Sequence, residues 1–370
     1  MQTSLNPAKA LPAIFKPASL INWLKAFSRR IFKPSLHRDL AGILGLLLPL
    51  LTCTGLLLSG CADSTRCEKG KELKQWLSQD GKVKVLSTTG MIDDLVRRIG
   101  GDHIDAITLI GASLNPHTYQ LVKGDSEKLA FAQVIFYNGL GLEHGPNLQH
   151  YLANDAKALA LGDQIARKYP HEIITINKQA DPHIWMDIAI WMKGIPLIVE
   201  RLSQQDPQHA EIYKSNGVAL TEEMQQADAF IRQELHDIPA HKRFLVTSHD
   251  AFNYFARSYL AEPGEIHVVD WQKRFMAPEG LSPDSQINPQ DIRNLISHLA
   301  QYNIHVLFSE SNVSKDSIRK IQQAGQEEGL QIVISPHALY ADAMGQACSP
   351  GDTYLKMMTH NAKTISQMLK

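Results

Sequence analysis

From residue 82 to the end of the chain, short apolar runs take turns with stretches of helical periodicity. The run Lys82–Thr88 alternates polar and apolar side chains and predicts a first strand, with Ile104–Ile110 and Ala132–Tyr137 as a second and third. Met91–Ile99 and Asp125–Phe131 read as helices between and after them. Strands that alternate with helices indicate βαβ units and a parallel sheet. A long helical region then runs from Ile184 to about His236. It is broken at Asp206-Pro207, where Asp can cap and Pro can begin a second helix over 207–236. A second alternating set follows, with strands at Arg243–Thr247, Glu265–Val269, Ile304–Ser309 and Gln331–Ser335 and helices at 250–259, 289–301, 314–328 and 352–369. The predicted fold is α/β: two lobes, each with a mainly parallel sheet flanked by helices, joined by one long helix. The lobes are expected at 81–206 and 239–370, with the linking helix at 207–238. Ligands of such sheets bind beyond the carboxyl ends of the strands, here in the crevice between lobes.

The chain before residue 82 has a different character. Lys9, Lys16, Lys25, Arg29, Arg30, Lys33 and Arg38 face Asp39 alone in residues 1–60, a net of +6, which leaves about −7 for the rest of a chain whose total is −1. The uncharged stretch Leu40–Ser59 follows, ending in Leu58-Ser59-Gly60-Cys61. A basic segment, an apolar core and small residues before a cysteine is the order of a secretory signal. Its ending resembles a bacterial lipobox, which implies cleavage before Cys61 and lipidation of its sulfur. Residues 1–60 are therefore expected to be signal and 61–80 a polar tether. An uncleaved anchor is the alternative, and it also places the body outside the cytoplasm. There, Cys67 and Cys348 remain, and an oxidising compartment permits them to pair. The mildly acidic body argues against nucleic acid, which needs a basic face.

Three histidines share a local setting. His117 stands in Asn115-Pro116-His117 and His183 in Asp181-Pro182-His183, where Asn or Asp can cap a helix and Pro can take its first position. His249 follows a strand-like run and Ser248, another candidate cap. A helix N-terminus disfavours imidazolium and so favours the neutral, metal-binding form. The same dipole repels a dication, so the site also needs a carboxylate, for which Asp342 after the last strand is placed well. Asp187, four residues beyond His183, and Glu310, at a strand end, are candidates to orient the imidazoles. His337 is expected at the rim.

These segments together carry a specific resemblance. Asn-Pro-His-Thr-Tyr (115–119), Asp-Pro-His-Ile-Trp-Met-Asp (181–187), Thr-Ser-His-Asp-Ala-Phe-Asn-Tyr-Phe (247–255) and Leu-Tyr-Ala-Asp-Ala-Met-Gly (339–345) resemble the ordered ligand motifs of the TroA/ZnuA/PsaA-type proteins. Phe308–Ser314 and the pair Gly280-Leu-Ser-Pro-Asp and Asn288-Pro-Gln-Asp-Ile are similar too, and the likeness is strongest to a chlamydial member. These proteins are the substrate-binding subunits of ATP-binding-cassette metal importers. The resemblance implies a rigid linking helix and one divalent transition metal, Zn²⁺, Mn²⁺ or Fe²⁺, held by His117, His183, His249 and Asp342. It implies a permease and its ATPase as partners, a monomeric periplasmic lipoprotein, and no enzymatic activity. Residues 118–182 hold only His144, His150 and His171, scattered rather than clustered as in the His-rich loop of zinc-specialised members.

Rival readings fit less well. A zinc hydrolase keeps an open ligand position, which a fourth protein donor would fill. Ser248-His249-Asp250 has the letters of a triad, but adjacent residues cannot form that relay. Gly139-Leu-Gly-Leu-Glu-His-Gly145 has its third Gly one place too late for a dinucleotide loop and reads as a turn. An adhesin role finds neither support nor contradiction in the residues.

Overall fold

The computed structural model describes residues 73–78, 81–112, 114–281 and 289–370. The signal segment, Cys61, Cys67 and most of the tether lie outside the described residues. Among those described, no helix is long and apolar enough to cross a membrane.

The N-terminal lobe is built on four parallel strands, β1 (Val83–Ser87), β2 (Ile104–Thr108), β3 (Val134–Tyr137) and β4 (Ala158–Ala160), in the order β2-β1-β3-β4. The first three match the predicted runs; β4 is too short to show a period. Strand β1 is central and buried along its whole length, so Lys84 needs a partner. Its ammonium meets Asp105 on β2 at 2.6 Å. Helices α1 (Gly90–Gly100), α2 (Asp125–Phe131), α3 (Pro146–Asn154) and α4 (Leu161–Lys168) supply the connections. A hairpin of β5 (Thr175–Ile176) and β6 (Gln179–Ala180) is the antiparallel exception.

The chain is not helical from Ile184 onward. Residues Ile184–Met186 form a single 3₁₀ turn and a short helix begins only at Ile188, capped by Asp187. Helix α5 (Gly194–Gln205) ends at Asp206, and after Pro207 the chain enters α6 (Ala210–His236), whose 27 residues span about 40 Å. The Asp206 carboxylate accepts from His209 Nδ1 and Tyr213 Oη, both at 2.6 Å, and secures the start of this helix. Tyr213, Gly217, Leu220, Met224, Ile231 and Leu235 form its buried stripe. A Cβ on Gly217 would meet Val199 at 2.8 Å, so the glycine sets how closely α5 and α6 cross.

In the C-terminal lobe, β7 (Leu245–Val246) pairs in parallel with β8 (Phe275–Met276), and β9 (Val306–Leu307) with β10 (Val333–Ile334). The bond from Phe308 N–H to Val246 carbonyl joins the two pairs side by side. The predicted strand at Glu265–Val269 is wrong: residues Pro263–His267 form helix α7. Pro263 takes the first helical turn, and Glu262 and Glu265 close a reciprocal capping box. Glu265 then pairs with Arg274 at 2.7 Å, just ahead of the strand that does form, β8. Helices α8 (Pro289–Tyr302), α9 (Asp316–Glu327) and α10 (Tyr354–Leu369) lie close to their predicted ranges. Helix α10 packs on both α6 and α1, and so ties the end of the chain to the linking helix and the first lobe.

At that junction Asp94 of α1 accepts the Tyr354 N–H at 3.3 Å. Burial raises its carboxyl to about 6, so the charged form is disfavoured in the fold. Asp94 thus favours the fold most below pH ~4, and that favour is lost as pH rises through about 6. Asp94→Asn keeps the acceptor and removes the charge. It is expected to raise the melting temperature at pH 7.5 and to have no effect near pH 3.5, as thermal denaturation at both pH values would show.

Candidate metal centre

The site forms where loops leave the carboxyl ends of strands in both lobes. His117 lies in the connection after β2, in a turn closed by the bond from its own N–H to Asn115 Oδ1 at 2.9 Å. His183 follows the β5–β6 hairpin, its N–H held by Asp181 Oδ1 at 2.9 Å. His249 leaves β7 directly, and Asp342 follows β10 and the bridge between Glu310 and Leu339. None of the three histidines opens an α-helix. Helix α2 begins only at Asp125, His183 precedes a 3₁₀ turn, and the helix after His249 starts at Asn253 with no cap from Ser248. The expectation of helix N-termini behind the imidazoles therefore fails. Asn115 and Asp181 close tight side-chain turns rather than capping helices.

All four side chains converge nevertheless. His117, His183, His249 and Asp342 each offer a ligand atom within 4.8 Å of the others. His117 Nε2 lies 3.3 Å from His183 Nε2, and Asp342 lies 3.3 Å from His183 Nε2, 3.1 Å from His249 Nε2 and 3.6 Å from His117 Nε2. Both Asp342 oxygens and His249 Nε2 are buried without a hydrogen-bond partner among the described residues. Buried polar atoms left this way are costly unless something else engages them, and four donors so close together could hold one metal ion.

The outer nitrogens explain the orientation. Asp181 Oδ1 meets His183 Nδ1 at 2.7 Å, and Glu310 Oε2 contacts His249 Nδ1. A carboxylate on Nδ1 turns Nε2 toward the centre and strengthens it as a donor. Glu310 also accepts the N–H groups of Ser248 and His249 at 3.0 and 2.9 Å, fixing the loop as well as the ring. Asp187 does not serve His183. Its carboxylate caps Ala189 and Ile190 and takes the Ser258 hydroxyl, because the 3₁₀ turn denies it the i, i+4 reach of an α-helix. Asp181 does that work instead, and its place two residues ahead of His183 was the signal available. It is braced by Asn253 Nδ2 at 3.0 Å. His337 is exposed and outside the cluster. Ser248, His249 and Asp250 form no relay: the Ser248 hydroxyl has no partner among the described residues, and His249 Nδ1 faces Glu310.

The lobes meet at these loops. Trp185 Nε1 donates to the Ala341 carbonyl at 2.9 Å, next to Asp342, while its ring lies edge-on to His183 with centroids 5.2 Å apart. Tyr354 Oη donates to the Trp185 carbonyl at 2.6 Å.

Electrostatics divide the histidines. Burial holds His117 down to about 3, so it is a free base. Burial also acts against charge on His183, but Asp181 and then Asp342 outweigh it and raise the ring to about 9. His249 is raised well above its usual value in the same way, against burial, by Glu310 and Asp342. Burial opposes the charge on Asp342, yet His249, His183 and His117 hold it well below the usual carboxylate range. The expectation of three neutral imidazoles therefore holds for His117 alone. The carboxylates that face His183 and His249 thus favour positive charge on those two rings.

With this geometry established, likeness to known proteins assigns a class. A family profile described as "Zinc-uptake complex component A periplasmic" matches residues 85–368. The chain belongs to this family, whose members are metal-binding subunits of importers. It is 36% identical over 314 residues, 85% of this chain and 93% of the relative, to metal-binding protein YtgA of Chlamydia muridarum. It is 32% identical over 329 residues, 88% of this chain and 99% of the relative, to the manganese-binding lipoprotein MntA of Bacillus subtilis. The crystal structure of Fe(III)-bound YtgA from Chlamydia trachomatis superposes with a TM-score of 0.74 at 35% identity, covering 78% of this chain and 98% of that one. The two-lobe architecture and the family resemblance seen in the sequence are thereby established.

A stability test follows from the histidine shifts. A raised His183 favours the metal-free fold below pH ~6.5, and that contribution is lost as pH rises through about 9. A bound dication supplies the missing charge at any pH in this range. Metal-free protein is therefore expected to melt progressively lower from pH 6.5 to 9, while the gap to the Zn²⁺-loaded protein widens. Thermal melts with and without chelator check this, and a constant gap would count against it.

Proposed function

We propose that this chain captures one divalent transition metal ion, Zn²⁺, Mn²⁺ or Fe²⁺, through His117, His183, His249 and Asp342 and delivers it to an ABC-type membrane importer. The observation that carries the assignment is the buried convergence of these four donors within 4.8 Å, with both Asp342 oxygens otherwise unengaged. Three imidazoles and one carboxylate suit first-row dications, with intrinsic affinity favouring Zn²⁺ over Mn²⁺. Four protein donors close a tetrahedral site, which fits carriage of an ion better than hydrolysis at an open position. Permease and ATPase are the partners such a subunit requires. Residues 81–206 and 239–370 act as the lobes and 207–238 as the link, in a monomer held outside the cytoplasm by lipid on Cys61. The names of relatives support the last point, since MntA is called a lipoprotein.

Metal analysis of the 62–370 fragment, purified without added metal, is expected to find one equivalent of a transition metal per chain. Metal at 100 times Kd is expected to add about 2.7 kcal/mol of stability, read as a shift in melting on chelation. Alanine at any of the four donors is expected to weaken binding by ~100-fold or more. Glu310→Gln and Asp181→Asn, which act through the imidazoles, are expected to cost about 10–100-fold. His171→Ala should leave affinity unchanged; wild-type affinity in His183→Ala would refute the ligand set.

The anchor has its own check. Metabolic labelling with a fatty-acid analogue is expected to mark the wild type and not Cys61→Ala. Equal labelling of both would refute lipidation at this residue.

A further inference from the structure

We propose that His144 is a transfer ligand, which takes the metal ion from solvent on Nε2 and passes it to His117, and does the reverse on release. This rests on the metal-carrying reading above. The four-donor cluster is closed off: the side chains of His183, His249 and Asp342 have no exposure, and that of His117 keeps 2%. An ion therefore needs an intermediate partner while it sheds water and crosses the rim. His144 stands next to the ligand that retains exposure, its ring centroid 5.7 Å from that of His117, and it is itself only half-buried.

Its tautomer suits the role. His144 Nδ1 lies 3.1 Å from the Gly141 carbonyl, which can only accept, so Nδ1 carries the proton and Nε2 keeps its lone pair. The loop that presents it is held from several sides. Gly139, Leu140 and Gly141 are successively left-handed, with φ of 75°, 54° and 80°. The buried Glu143 carboxylate accepts from Asn138 N–H at 2.8 Å, Gly139 N–H at 3.1 Å and Thr88 Oγ1 at 2.7 Å, and Asp163 accepts from Leu140 N–H at 2.8 Å. The sequence Gly139–Gly145, which faintly suggested a nucleotide loop, thus turns the Gly139 and Leu140 N–H groups on the protein's own carboxylates. A Cβ on Gly145 would lie 2.3 Å from the Tyr119 carbonyl, so the glycine lets this loop touch the backbone of the His117 loop.

His144 is not among the donors that lie within 4.8 Å of one another, so it does not belong to the final ligand set. A group that holds the ion only in transit lowers the barrier in both directions and leaves the equilibrium unchanged. The test is stopped-flow measurement of Zn²⁺ association, and of dissociation into excess chelator, on the full chain in detergent. His144→Ala is expected to slow both rate constants about tenfold, a barrier rise of about 1.4 kcal/mol, with Kd within about twofold of wild type. His144→Cys, which restores a metal-binding side chain, is expected to recover most of the rate, whereas His150→Ala should match wild type. Unchanged rates in His144→Ala would overturn the proposal, as would a loss of affinity matching that of His117→Ala. Failure of the wild type to bind Zn²⁺, Mn²⁺ or Fe²⁺ would overturn the metal reading itself, a result distinct from either.

Discussion

The junction of the two lobes depends on burying three carboxylates, Asp342, Asp181 and Glu310, around one set of imidazoles. Asp342 has no exposed side-chain surface and, among the described residues, no hydrogen-bond donor other than the rings it faces. Its burial is tolerable only with positive charge beside it. Asp181, Glu310 and Asp342 favour positive charge on His183 and His249, and in the proposed metal-bound state a divalent ion held by neutral rings supplies positive charge in its place.

The loops that carry these residues are tied to the helices by hydrogen bonds. Asp342 sits in a loop whose neighbour Ala341 is bonded to Trp185, and the Trp185 carbonyl is bonded in turn to Tyr354 at the head of α10. Asp187 holds Ser258, and Tyr259 Oη donates to Asp228 of α6 at 2.7 Å. The ligand loops are thus braced against the linking helix and the last helix, both of which span the two halves. The Asp342 loop thus reaches the head of α10 through Trp185.

Much of this was legible in the sequence. Buried strands and amphipathic helices announced themselves through period, three candidate ligands through repeated Pro-His and Ser-His contexts, and Asp342 through its place after the last strand. Glu310 was found because a strand end is a place for function. What was missed shares a cause: segments too short for a period to develop. Strand β8 has two residues, β5 and β6 two each, and the 3₁₀ turn after His183 three, so the reading of Asp187 as the partner of His183 rested on an α-helix that does not form. At Glu265–Val269 the alternating apolar residues were real, but Pro263 and the capping box of Glu262 and Glu265 favour a helical turn. The charge state of His249 was misjudged because the carboxylates that face it, Glu310 and Asp342, come from distant parts of the chain. Glu310 reaches His249 across 61 positions of sequence, and nothing local to either residue reveals it.

The position of Trp185 has an optical consequence. Its indole lies edge-on to the ring of His183 and donates its N–H to the Ala341 carbonyl beside Asp342, so the emission of one native fluorophore reports on both surroundings, without any added dye.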